Sequence, residues 1–416
     1  MPAKETNKVE LMAPAGNFES MTAALKAGAD SVYFGVEQLN MRARATMNFT
    51  MDNLSEVVEL CESYGARSYI TLNTIVYDHD LSLVKKIIDK AKEAGITAMI
   101  AADQAAINYA KEVGLEVHIS TQVNVTNIET VKFYSLFADT MVMARELSVK
   151  QMKDICDAIV REDVRGPSGN LVEVEVFAHG ALCMAVSGKC YLSLHSHNSS
   201  ANRGACIQNC RRSYTVTDDE GNELLIDNEF IMSPKDLCTL DFLDVLLGTG
   251  VKVLKIEGRG RAPEYVKTVI ECYREAIDAY YDDSYTEEKI EAWMKRLGTV
   301  YNKGFWSGYY LGQKMGEWSK KKDSSATQKK LFLGRGLHYY PKAEVGEFKI
   351  ESHSLKVGDQ ILVTGPTTGV LEAEVEEIRV DTKPVEEAIK GQEISMKVSE
   401  RIRANDKLYK IIPADA

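Results

Sequence analysis

Short β-type runs alternate with amphipathic helical stretches from about Val9 to Glu257, and this alternation constrains the fold of the chain more than any other feature. The strand candidates are Glu10–Ala13, Ser31–Gly35, Arg67–Leu72, Ala98–Ala101, Glu116–Ser120, Thr140–Met143, Val172–Phe177 and Val253–Glu257. Between them, Phe18–Ala27 places Met21, Ala24 and Leu25 on one face, and Leu54–Tyr64 and Leu83–Ala94 repeat that spacing. Gly28, Gly65 and Gly95 follow three of these helices, where a left-handed C-cap is expected. Strand and helix in strict alternation predict a (β/α)8 TIM-like barrel for a catalytic domain spanning residues 1–285. A doubly wound open sheet is the competitor, but the run of strands is long for one and no Gly-x-Gly-x-x-Gly fingerprint occurs.

Residues 262–296 read as helical, with Tyr265, Val266, Val269, Ile270 and Tyr273 on a common face. Helix and linker fill 286–330, ending in the Lys-, Ser- and Thr-rich stretch Lys320–Lys330. Beyond it, Leu331–Ile412 alternates in β fashion between glycines, which predicts a small C-terminal β-barrel domain at 331–416. A hairpin is expected from Tyr214–Thr217 and Glu223–Ile226.

The 416 residues are 45% hydrophobic, enough for a large core. The polar N-terminus shows no secretory leader and no apolar run approaches the ~18 residues of a membrane span. A cytoplasmic protein is expected, without membrane association. The net charge of −11 argues against promiscuous polyanion binding but leaves room for a local basic cleft.

In a barrel of this kind reactive groups come from the C-terminal ends of the strands. Those ends carry Asn17, then Arg42 and Arg44, Asn73, Gln122, Arg145, His179, Glu257 and Arg259. Amides and arginine forks suit a small anionic ligand or a nucleotide. Asn17 and Thr121 are equally readable as helix N-caps.

Four cysteines crowd a segment after the seventh strand, in the pattern Cys183-x6-Cys190-x15-Cys206-x3-Cys210. Cytosolic thiols are kept reduced, so the cluster points to metal or redox chemistry more than to disulfides. Four thiolates suffice for a zinc site or a cubane iron–sulfur cluster, and the spacing alone does not choose. Cys238 is a further candidate ligand, whereas Cys61, Cys156 and Cys272 fall on helical faces as small core hydrophobes. Lys189, Arg203, Arg211, Arg212 and Arg261 surround the thiols, which suggests RNA contact. The chain has no His-Glu-x-x-His and no Gly-x-Ser-x-Gly elbow, and a Cys183–His179 thiol pair stays open.

The segment Glu175-Val-Phe-Ala-His-Gly-Ala-Leu-Cys183, ending Gly188-Lys-Cys-Tyr-Leu-Ser193, resembles the signature of the collagenase-like peptidase family U-32. The resemblance extends through Leu11–Asn17, Asp30–Gly35, Ser233–Leu237 and Leu254–Arg259, and so covers essentially the whole chain. Within that family the sequence is most similar to the prephenate-dependent tRNA uridine 5-hydroxylation proteins. That likeness implies wobble 5-hydroxyuridine formation without O2, tRNA as partner, prephenate as dicarboxylate co-substrate and a [4Fe–4S] cluster, with zinc as the alternative metal. Its ligands would be Cys183, Cys190 and Cys206, with Cys210 preferred to Cys238 as the fourth. Arg42, Arg44 and Arg259 would hold the anion, and Asn73 and Gln122 would read the substrate, with Arg145 and Glu257 beside them. The alternatives are a metal-dependent or thiol peptidase, as the family label states, hydroxylation of a 23S rRNA cytidine, and a non-catalytic iron–sulfur scaffold serving a homologous partner.

Overall fold

The computed structural model describes residues 8–37, 39–43, 49–215, 217, 219–221, 232–312, 316–321 and 323–415. Its first nine strands are β1 (Glu10–Ala15), β2 (Ser31–Gly35), β3 (Arg67–Leu72), β4 (Ala98–Ala101), β5 (Glu116–Ile119), β6 (Thr140–Val142), β7 (Glu173–Gly180), β8 (Asp236–Cys238) and β9 (Val253–Ile256). Strands β1 to β7 pair in sequence order, all parallel, and β9 pairs in parallel with both β7 and β1. The ring is thereby closed, and the (β/α) barrel expected from the alternation is present.

Both faces of these strands are buried, as a parallel barrel wrapped in helices requires. Leu11, Ala13, Val32, Phe34 and Ile70 belong to the large core shared with the helices. The residues between them, Met12, Tyr33, Tyr69, Ala98, Ile100 and Val253, form a separate cluster. The two-residue period of a strand separates these sets, and the second fills the barrel interior. Asn17 caps the helix Phe18–Lys26, accepting from Ser20 N at 2.8 Å. Its role is structural.

β8 was not anticipated. It runs antiparallel to the end of β7, pairing His179 with Cys238 and Gly180 with Leu237, and lies outside the closed ring. A further strand, β10 (Phe305–Trp306), pairs in parallel with β8. The expected hairpin at 214–226 falls mostly outside the described residues.

The C-terminal part departs from expectation. Its eight-stranded sheet, from Gln328–Tyr340 to Lys407–Pro413, is open and not a barrel. The strands Gly369–Glu374 and Lys383–Val385 are its two edges and do not pair with each other. One edge carries Pro384, which has no N–H to offer a neighbour. The other is packed against the first domain: Val370, Leu362, Tyr409 and Ile411 meet Ala23 of the helix Phe18–Lys26. Around them, Thr22 Oγ1 donates to Pro366 O at 2.6 Å, Lys26 Nζ donates to Thr368 O at 3.0 Å, and Lys267 pairs with Glu372 at 2.7 Å. Inside the sheet, the long strand bends at Gly334, where a Cβ would stand 1.8 Å from Lys349 O. Only glycine admits that approach.

Candidate active site

A cleft opens at the mouth of the barrel, where the ends of the strands meet the segment that follows β7. Arg42, Asn73, Gln122, Arg145, Glu257 and Arg259 all line it. Arg44 lies outside the described residues.

Glu257 stands at its centre, one residue past β9. Its backbone N donates to His179 O at 2.8 Å, and its carbonyl accepts from Tyr265 Oη at 3.0 Å. Gly180, with φ +106°, makes this junction possible, because a Cβ there would come within 2.4 Å of Glu257 O. The carboxylate accepts from Arg42 Nη2 at 2.7 Å and from Tyr33 Oη at 3.3 Å. Burial alone would raise its pKa, but Arg42, Arg145 and Arg259 outweigh that cost and hold it at about 2. Glu257 is therefore ionised at the wall of the cleft.

The arginines are fixed from behind. Arg259 donates to Thr71 Oγ1 at 2.8 Å and to Asn40 Oδ1 at 3.1 Å, and burial lowers its pKa to about 10. Arg145 stacks over the Phe177 ring at 3.8 Å and donates to Ala181 O at 3.0 Å. Among the described residues, the Nε–H of each is buried without an acceptor. On the opposite wall the Asn73 amide donates to Gln122 Oε1 at 3.4 Å, and its oxygen accepts from Met41 N at 3.2 Å.

Below the mouth lies a charged network that the sequence reading missed. Lys255 Nζ meets Glu175 Oε1 at 2.7 Å, and Glu175 Oε2 meets His118 Nδ1 at 3.1 Å, with all three side chains buried. Lys255 also lies 4.4 Å from the Tyr33 ring and reaches the cleft. Burial would raise the Glu175 pKa, but Lys255 and His118 bring it to about 2. Burial pushes the Lys255 ammonium below its ordinary value, although Glu175 opposes the shift. A signal was available: each is a lone ionisable group between apolar neighbours in a strand, as in Val117-His-Ile119, Val174-Glu-Val176 and Leu254-Lys-Ile256. Period two puts such residues inside the barrel.

The expected metal centre is not assembled. Cys183, Cys190, Cys206 and Cys210 line the same cleft, and every cysteine is a free thiol. Among the described residues, however, no group of three or more His, Cys, Asp or Glu side chains is arranged to hold a metal ion. Cys206 Sγ sits 4.0 Å from Ser193 Oγ, and burial, with the neighbouring Cys183, Cys206 and Cys190, pushes the Cys210 thiol above its ordinary pKa. Cys238 is in the core beside Met294 Sδ at 3.7 Å, its thiol pushed up to about 12 by burial. The [4Fe–4S] assignment, its zinc alternative and the iron–sulfur scaffold are thereby corrected, together with Cys238 as a ligand. His179 is absent from the lining of the cleft that Cys183 reaches. His179 is buried among Tyr265, Tyr273 and Phe305, and burial with the nearby Arg261 lowers its pKa to about 3. No helix among the described residues is long and apolar enough to cross a membrane.

The model of peptidase family U32 matches residues 16–320. The chain belongs to that family. It is 56% identical to a collagenase of Porphyromonas gingivalis over 97% of this chain and 98% of the relative. An uncharacterized protease of Methanocaldococcus jannaschii is 37% identical over 96% of this chain and 98% of its own length. The tRNA hydroxylation protein P1 of Bacillus subtilis is also similar, at 32% identity over 87% of this chain and 84% of its own length. The collagenase-named relatives thus match this U32 chain more strongly than that hydroxylation protein does. Together with the unassembled metal centre, this overturns the expected RNA hydroxylation, on tRNA or rRNA, and the prephenate co-substrate that came with it.

Proposed function

We propose that this U32 protein hydrolyses peptide bonds in the cleft at the barrel mouth. The single observation that carries the reading is the 56% identity, across nearly the full length of both chains, to a protein named for collagen cleavage. The geometry supplies fitting roles. The Arg259 guanidinium, which lines the cleft, is a donor for the oxyanion that forms when water adds to a peptide carbonyl. Lys255 is paired with Glu175, and the neutral fraction that burial favours takes the proton from that water and returns it to the leaving amine as the C–N bond breaks. Glu257 is too acidic to store a proton. With Arg42, it orients the peptide, while Asn73 and Gln122 meet the main chain.

The test is hydrolysis of gelatin and of fluorogenic peptides by the purified chain, with products identified by mass spectrometry. Lys255→Met should lower kcat/KM by about 100-fold or more, as expected for loss of a general base. Absence of turnover by the unaltered protein sinks the proposal, and full turnover by Lys255→Met sinks the assignment of the base.

A further inference from the structure

Beside the main cleft, and sharing Arg145, Cys183, Met184, Ala185 and Ser187 with its wall, lies a smaller pocket. Three aromatic rings, Trp306, Tyr309 and Trp318, line it with Leu182 and Pro234, and Arg145, Glu146 and Ser187 add polar groups. The rings are held before any ligand arrives. Trp306 belongs to β10, pairs with Leu237 of β8, and donates its indole N–H to Lys235 O at 3.1 Å. The Tyr309 ring meets it edge to face, with centroids 5.5 Å apart. Trp318 is anchored by a backbone bridge to Pro234 and by the bond from Ser319 N to Ser233 O at 2.7 Å.

We infer that this pocket is a specificity subsite that takes a proline ring of an extended peptide bound across the cleft, with Arg145 donating to the carbonyl beside that proline. The inference rests on the peptidase reading for its substrate class and deepens it. Two independent features converge. Aromatic-lined grooves recognise proline because the ring is already fixed in the polyproline II conformation and loses little entropy on docking. That conformation has no internal hydrogen bonds, so its carbonyls need outside donors, and the wall shared with the cleft carries the Arg145 guanidinium. The stack on Phe177 and the bond to Ala181 O hold the guanidinium in place for that contact.

The experiment uses the full chain and two blocked peptides, Gly-Leu-Pro-Gly-Leu and the same peptide with Ala for Pro, titrated calorimetrically. The proline peptide should bind about threefold to tenfold more tightly, the size of an aromatic contact. Trp318→Ala should erase that preference and Trp318→Phe should keep most of it. Tyr309→Ala, at a half-exposed ring, gives a second reading if Trp318→Ala disturbs the fold by circular dichroism. Equal affinity for the two peptides, no binding of either, or a preference that survives both alanine variants overturns the subsite. A proline preference without peptide cleavage supports the subsite and removes the peptidase reading. Cleavage without the preference does the reverse.

Discussion

Replacing Glu175 by Gln deletes one negative charge from the barrel interior while preserving the side-chain shape. In the native protein that carboxylate meets Lys255 at 2.7 Å and His118 at 3.1 Å, with no solvent contact. Its drop from the ordinary 4.5 to about 2 is a stability statement. At 1.36 kcal/mol per pH unit it amounts to roughly 3 kcal/mol. A second route gives a similar size: breaking a buried ion pair leaves Lys255 without its counter-charge, which costs about 3–5 kcal/mol. The sign follows from the direction of the shift. A depressed carboxylate stabilises the fold fully above about pH 4.5, and that contribution disappears as the pH falls towards about 2. Calorimetry near neutral pH should therefore show the barrel transition of Glu175→Gln lowered by roughly 6 °C or more. The gap to the unaltered protein should narrow as the pH is taken from about 5 to about 3. A melting point that does not move near neutral pH refutes the argument, as does a deficit that stays constant across the acid range. Either result would mean that the interior is not ionised.

Mass-mapped alkylation of the native protein should modify Cys183 first, since it is the exposed thiol, and leave Cys61, Cys156, Cys238 and Cys272 unmodified until denaturant is added. Cys210 should lag behind Cys183 because burial disfavours its thiolate. Gly180→Ala should displace Glu257 and depress activity more than stability, because its φ of +106° and the 2.4 Å approach to Glu257 O both exclude a Cβ; wild-type kcat/KM in that variant would contradict the placement of Glu257. Thr22→Val should lower the melting point by about 1 kcal/mol equivalent through loss of the bond to Pro366 O. An unchanged melting curve would show that this contact does not hold the C-terminal sheet to the barrel.

The barrel was legible because its strands are short, apolar and regularly spaced, and because local spacing reflects local backbone geometry. The polar residues of the mouth could be read for the same reason, since strand ends point to one rim. Arg42, Asn73, Gln122, Arg145, Glu257 and Arg259 do line one cleft. The cysteines misled: proximity in sequence brought four thiols to one cavity, but it did not arrange them as a metal site. β8 was missed because its three residues, Asp-Leu-Cys, form no apolar run of the kind that marks the equally short β6. The C-terminal strands were visible individually, yet whether a sheet closes depends on its last pairing, which no local pattern encodes.

What the amino-acid order determined by itself was the sequence of elements and, through the two-residue period, which residues of each strand enter the barrel. Tertiary structure alone decided the partnerships: Lys255 with Glu175 and His118, Glu257 beneath Arg42, Trp318 beside Trp306, and the sheet edge at Gly369–Glu374 against Ala23. The physical reason is range. Side-chain direction is set within a few residues, whereas the charge, pKa and accessibility of a buried group depend on atoms from other strands, 57 residues away for His118 and Glu175 and 80 for Glu175 and Lys255.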